Sequence, residues 1–231
     1  MKRVKRVFFI WIIIGILFLI GNVALADDEI MNQSIEALYD LSKVADNDVF
    51  FYLLERAEAI AIFPKVIRLG FGLGAQFGEG IVYRKELDKN IWYGPAFYKI
   101  YGLSFGPQAG IQSTSLILLV MNQDGMKVFY GDGLTLGGNI SVTAGPIGRS
   151  FSAEVDIGLE SSIYSYSQSR GLYIGLSVQG AQIKQNRQAN RQFYEKKIDP
   201  EAILSSKISS NPSSLRLQQY LKDLIRKNSV N

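Results

Sequence analysis

Apolar positions along this chain fall into four regimes, and each regime predicts a different kind of element. Val7 to Ile20 is an unbroken apolar run of 14 residues between a basic opening, Met1 to Arg6, and the small-x-small triplet Ala24-Leu25-Ala26. That order is the pattern of an export signal cleaved after Ala26, and the run is shorter than the ~20 residues that span a bilayer comfortably. An uncleaved membrane anchor is the alternative reading. From Ile30 the pattern changes to three- and four-residue steps: Ile30, Ala37, Leu38, Leu41, Val44 and Ala45 share one helical stripe. Asp46-Asn47-Asp48 then offers capping side chains for a second helix over Val49 to Ile60, with Phe63-Pro64 as its stop.

Beyond Pro64 the period shortens to two. β-branched and aromatic residues recur in short runs broken by Asp-Gly, Gly-Pro and Gly-Gly, which predicts strands over 67–76, 79–84, 91–99, 101–111, 114–121, 134–143, 151–158, 162–168 and 172–183. Glycines return every fourth residue at Gly70, Gly74 and Gly78, at Gly102, Gly106 and Gly110, and at Gly171 and Gly175. Four residues is twice the strand period, so each set lies on one face, where another backbone approaches closely or the strand bends. The tail returns to helix. Asp199-Pro200-Glu201 and Asn211-Pro212-Ser213 each set a capping residue before proline, and Leu217, Leu221 and Leu224 form an apolar stripe. A strand-rich centre between helical ends predicts one α+β domain. Its sheet is twisted and mainly antiparallel, open or closed into a barrel, with N-terminal and C-terminal helices.

Charge changes this picture in one respect. The +4 of the whole chain comes from Lys2, Arg3, Lys5 and Arg6, and residues 27–231 hold 21 acids and 21 bases. Global charge therefore gives no support for nucleic-acid binding. The neutral remainder is unevenly divided: residues 27–60 are net −7, 61–180 net +1 and 181–231 net +6. Packing of the acidic front on the basic tail is the structural use of that asymmetry.

Composition removes most catalytic devices. The chain has no cysteine and no histidine, so thiol nucleophiles, Cys/His zinc sites and imidazole bases are absent. Gly102-Leu103-Ser104-Phe105-Gly106 has the letters of a nucleophile elbow but lacks the histidine of the usual triad. Gly70-Phe71-Gly72-Leu73-Gly74-Ala75 loosely fits a dinucleotide fingerprint, with Asp88 beyond it. The strand-type Ile81-Val82-Tyr83 follows where that fingerprint requires a helix. Glu154 and Asp156 share a strand face as a carboxylate pair, with a solvated surface as the ordinary reading. The residues point to a protein that is not an enzyme and needs no cofactor.

Four ordered blocks resemble SYLF domains. They are Ala61 to Phe71, Leu134 to Arg149, Ile163 to Gly180 and Asn190-Arg191-Gln192-Phe193-Tyr194, which together place the family core over 49–205 of a single domain, 27–231. The later blocks resemble the eukaryotic branch, whose domain is often joined to a Src-homology-3 module. The resemblance implies binding to anionic lipids, phosphoinositides included, and a short helix over Gln123 to Tyr130 capped by Asn122. Fungal relatives are also linked to actin regulation. The export signal and the lack of a Src-homology-3 segment in this sequence count against actin as its partner. The expected role is peripheral binding to an anionic phospholipid membrane surface, outside the cytoplasm, in the periplasm or secreted. Lys65, Arg68, Arg149 and Arg170 are the expected headgroup contacts, since each basic residue near such a surface contributes about 1 kcal/mol. Phe50, Phe51 and Leu54 are the expected apolar insertion, with core packing as their competing role. Two other functions fit the signal and the strands: an exported protein that binds an envelope or host protein, and an integral outer-membrane β-barrel.

Overall fold

The computed structural model describes residues 27–43, 48–86, 89, 91–131, 134–137, 140–146, 161–169, 172–173 and 180–228. Two helices lead: α1 (Asp27–Ser42) and α2 (Asp48–Arg56). A long hairpin follows, β1 (Ala59–Glu86) and β2 (Ile91–Val120), and then α3 (Gln123–Tyr130). The strands β3 (Leu134–Thr135), β4 (Val142–Ala144), β5 (Ile163–Ser169), β6 (Leu172–Tyr173) and β7 (Gln182–Gln185) complete a seven-stranded sheet. Helices α4 (Arg187–Phe193), α5 (Pro200–Ser206) and α6 (Pro212–Asn228) close the chain. The sheet runs β3-β7-β2-β5-β4, with β1 paired to β2 and β6 to β5. Every pairing is antiparallel except β4 with β5. The α+β class with helices at both ends, expected from the pattern, is the observed one.

The second helix is shorter than its pattern predicts. It stops at Arg56, and Ala59 to Phe63 pair with Val120 to Leu116 as a strand. The physical reason is two-sided burial. Ile60 and Ile62 enter one core with α1, α2 and α6, while Ala59, Ala61 and Phe63 enter another with α3 and α5. A strand buried on both faces loses its polar alternation, so it reads like a helix. Pro64 does not end a helix. It lies with Lys65 in a bulge where pairing shifts between Phe63 and Val66.

The five separate strands predicted between 67 and 121 are two continuous ones, and the glycines explain how they fit in the fold. Between the bulge at Pro64-Lys65 and Tyr83 on β1, and from Ala96 to Val120 on β2, the odd-numbered core residues (Ile81, Tyr83, Phe97, Ile117, Leu119) lie on the helix-covered outer face, and the even-numbered ones (Val66, Val82, Tyr98, Ile100, Leu116) on the inner face. Gly70, Gly74, Gly78, Gly80, Gly102 and Gly110 are all even, hence inner. A methyl on Gly74 would lie 2.9 Å from the Gly70 Cα, one on Gly78 2.7 Å from the Lys65 oxygen, and one on Gly80 2.6 Å from the Ile62 oxygen. The contacts step away evenly from a crease near residue 72, so β1 is doubled back on itself. The hairpin folds inner face to inner face, far closer than the ~10 Å of ordinary stacked sheets.

The tail is fixed by specific bonds. Asn190 on α4 is buried; its Oδ1 accepts from the Phe97 N–H at 2.8 Å and its Nδ2 donates to the Phe97 carbonyl at 3.1 Å. The Tyr194 hydroxyl donates to the Pro95 carbonyl at 2.9 Å, and the Phe193 ring packs on Phe97. The block Asn190 to Tyr194 is thus a stitch between α4 and the start of β2. Asn211 accepts from the Ser213 and Ser214 amides at the start of α6, while Asp199 makes no side-chain cap on α5. The acidic front does meet the tail, because α1 and α6 share a core through Leu38, Leu41, Leu217 and Leu221. Asn211 and Arg216 also donate to Asp28 and Asn32 of α1. Among the described residues no ion pair joins the two helices, so apolar contact and hydrogen bonds with one charged partner each hold them together.

Candidate functional site

The bulge in β1 organises the polar side chains expected at the site. Pro64 and Lys65, pushed out of the ladder, form one wall of a cleft of about 320 Å³. Gln33, Glu36, Ala37 and Asp40 of α1 form the opposite wall, and Ser113-Thr114-Ser115 with Gln168 of β5 form the rest. Lys65 is exposed at this rim. The cleft carries two carboxylates against one ammonium, so it does not by itself concentrate anions.

Arg68 lies three residues further on and in a different environment. Its partner in the ladder is Gln112, and Val66 pairs with Thr114, which makes Arg68 and Thr114 diagonal neighbours on the inner face. Only 5% of Arg68 is exposed. Its Nε and the Thr114 Oγ1 are both buried without a hydrogen-bond partner, and among the described residues no carboxylate pairs with the guanidinium. Burial lowers its pKa, and no neighbouring charge offsets that. A guanidinium stays ionised inside proteins, so Arg68 brings into the crease a charge that no carboxylate of the described residues meets. Withdrawing such a charge from water is unfavourable, and an anion that reaches it offsets that cost.

The remaining expected residues separate into two groups. Phe50 and Leu54 are fully buried in the core under α1 and α6, where the Phe50 ring meets Tyr166 edge to face. Phe51 is half-buried against the same core. These three side chains give α2 no free apolar stripe, because α2 packs inward to cover Ile60 and Ile62; core packing is the role the fold gives Phe50 and Leu54. Arg149 and Arg170 lie outside the described residues, as do Glu154 and Asp156. Thr114 and Gln168, whose Oε1 is likewise buried and unpaired, were not singled out by the sequence reading. Their only sequence signal is the polar triplet Ser113-Thr114-Ser115 set directly before the apolar Leu116 to Val120.

Other ionisable groups near the hairpin base are occupied by the fold. Lys85 donates to the Glu55 carbonyl at 2.8 Å, and burial lowers its pKa while Glu55 opposes the shift. Lys99 pairs with Glu79 at 3.2 Å. Among the described residues no helix is long and apolar enough to cross a membrane.

A profile of the family described as "Ysc84: Las17-binding protein actin regulator" matches residues 101–224. Protein YSC84 of Saccharomyces cerevisiae is 33% identical over 181 residues, which is 77% of this chain and 38% of that protein. LAS seventeen-binding protein 3 of the same yeast is 35% identical over 164 residues, 70% of this chain and 35% of that protein. SH3 domain-containing YSC84-like protein 1 of Bos taurus is 31% identical over 177 residues, 76% of this chain and 51% of that protein. The chain therefore spans between about a third and a half of the length of these relatives.

Proposed function

The chain belongs to the Ysc84, or SYLF, family, and on that footing we propose that it is a non-enzymatic protein that binds anionic phospholipid reversibly at a membrane surface. One observation carries the reading: Arg68 is a buried cation with no carboxylate beside it among the described residues and an unpaired hydroxyl, Thr114, as its diagonal neighbour. A phosphate oxygen satisfies both groups, since guanidinium is a preferred partner of phosphate and a hydroxyl donates readily to an anion. Lys65, exposed three residues before Arg68 at the rim of the α1 cleft, is a second cation, and the Glu36 and Asp40 carboxylates of that cleft oppose its attraction for a headgroup. The basic opening and apolar run of residues 1–26 support an exported location, periplasmic or secreted.

The relatives are named for Las17 binding and actin regulation rather than for a reaction. Those names support a second reading, in which the partner is a protein. The two are separated by sedimenting the full chain with neutral phosphatidylcholine vesicles and with vesicles containing phosphatidylserine or a phosphoinositide, at low and moderate salt. Lipid binding through this site requires tighter association with the anionic vesicles. It also requires loss of that excess when Lys65, Arg68, Arg149 and Arg170 are all changed to glutamine. Equal affinity of the folded variant and the wild type at both salt concentrations places lipid contacts elsewhere.

A further inference from the structure

The cleft between α1 and the β1 bulge holds hydrogen-bond acceptors that the described residues leave unused. Glu36 and Asp40, four residues apart on α1, line it, and among the described residues neither forms an ion pair. Lys43, three residues past Asp40, lies over the Tyr39 ring at 4.1 Å from its centroid. The third acceptor is Gln168 of β5. It stands opposite Ser115 in the ladder, and directly opposed residues share a face. Ser115 is odd-numbered, like Ile117 and Leu119, so both side chains project from the face that α1 covers. Tyr166 and Tyr164, two and four residues earlier on β5, enter the same core. Gln168 is only 7% exposed, and its Oε1 is buried without a hydrogen-bond partner.

The charges around these acceptors decide what fits them. A buried amide oxygen without a partner is unfavourable until a donor reaches it, which calls for a ligand with N–H or O–H groups. Two carboxylates beside it favour a donor that is also a cation. Lys65 on the facing wall narrows the choice further. Among the described residues it forms no ion pair with Glu36 or Asp40, so its ammonium repels a bare cation entering the cleft. The two carboxylates repel a bare anion in the same way. A hard divalent ion also lacks ligands, because among the described residues no three carboxylates come together. A zwitterion satisfies both walls.

The geometry points to this cleft as a binding site for a small zwitterion, whose primary ammonium donates to Glu36, Asp40 and Gln168 while a tethered anionic group meets Lys65. A phosphoethanolamine unit has that chemistry, either as a free ester or as the headgroup of a lipid. The volume of about 320 Å³ suits a ligand of this size. A trimethylated ammonium carries the same charge but has no N–H, so it leaves the Gln168 oxygen unpaired. The site is separate from the phosphate contact proposed at Arg68. Arg68 is opposite Gln112 and projects from the inner face, whereas Gln168 projects from the outer one. The inference therefore goes beyond the lipid-binding reading and does not depend on it.

Titration calorimetry of the full chain with O-phosphoethanolamine tests the site, with phosphocholine, ethanolamine and glycerol 3-phosphate as comparators. Phosphoethanolamine should bind about tenfold more tightly than each of the three. Glu36→Gln with Asp40→Asn changes two exposed side chains and should abolish that preference. Gln168→Leu should lower phosphoethanolamine to the level of phosphocholine, and Lys65→Gln to the level of ethanolamine. No binding, equal binding of any comparator, or a preference that survives in the folded Glu36→Gln/Asp40→Asn variant overturns the site. Flotation with phosphatidylcholine vesicles, with and without phosphatidylethanolamine, then identifies the source. Capture only by the vesicles with phosphatidylethanolamine assigns a headgroup, and binding of the free ester without capture assigns a soluble ligand; either result supports the site. Capture by phosphatidylglycerol vesicles, whose lipid has no amine, reports on the anionic-lipid reading alone, so the two can fail separately.

Discussion

Glu58 shows how a single side chain at the start of the sheet sets a pH response. Its backbone N–H donates to the Val120 carbonyl at 2.8 Å, and its own carbonyl accepts from the Lys85 N–H at 2.7 Å. The carboxylate accepts from Gln123 Nε2 at 2.7 Å, which ties β1 to the first turn of α3. Burial raises its pKa above the usual 4.5, and the nearby Arg84 only partly opposes this. A carboxyl with a raised folded-state pKa binds its proton more tightly in the native state. Its stabilising contribution is complete below 4.5 and is lost as the pH rises through the raised value. Glu58→Gln removes that titration. Melting temperatures of wild type and Glu58→Gln, followed upward from pH 4.5, should show the wild type losing ground to the variant. A constant difference, or one that moves the other way, removes the burial effect from the account.

At the scale of the elements, the doubled hairpin depends on positions where a side chain has no room. Gly80→Ala sets a methyl 2.6 Å from the Ile62 oxygen and against the Phe63 ring. The oxygen belongs to a paired strand buried on both faces, so it does not move aside, and the variant should lose about 1–3 kcal/mol in urea unfolding. Gly131→Ala is the matched control. Its nearest neighbour is the Lys127 oxygen at 3.7 Å, its φ is −89°, and its change should stay within about 0.5 kcal/mol. Equal losses at both positions would mean that close approach of the leaves does not hold the hairpin together. The four-residue glycine period was legible in the sequence, as was its consequence that each set shares a face. What the sequence could not supply was the partner: the even face of β1 meets β1 itself, in contacts between residues 4 to 18 apart on one strand. The same limit explains α2. Val49 to Ile60 has helical spacing throughout, and only the pairing of Ala59 to Phe63 with Leu116 to Val120 decides where the helix ends.

For the whole molecule, the chain assigns opposite jobs to the two faces of one sheet. The outer face carries the helices at its base and bare apolar residues beyond them, while the inner face carries α3, α5, the glycines and Arg68. Arg68 was legible as a candidate because it stands in the block Ala61 to Phe71. Its burial was not, since that follows from the folding of one leaf over the other. Thr114 went unnoticed for the same reason: one threonine in a polar triplet has no signature until the register sets it diagonal to an arginine. The central claim is that Arg68 waits for a phosphate, and it has two linked consequences. Without ligand, Arg68→Met keeps the apolar stem and removes a charge that has no carboxylate partner among the described residues, so the melting temperature should rise. With ligand, a species that binds only the native state raises the melting temperature in proportion to its binding. The most direct measurement is therefore the melting temperature of wild type and Arg68→Met with and without a short-chain, water-soluble anionic phospholipid below its micelle concentration. The account predicts that the lipid raises the wild-type value and leaves the more stable variant unmoved; an equal rise in both proteins would contradict it.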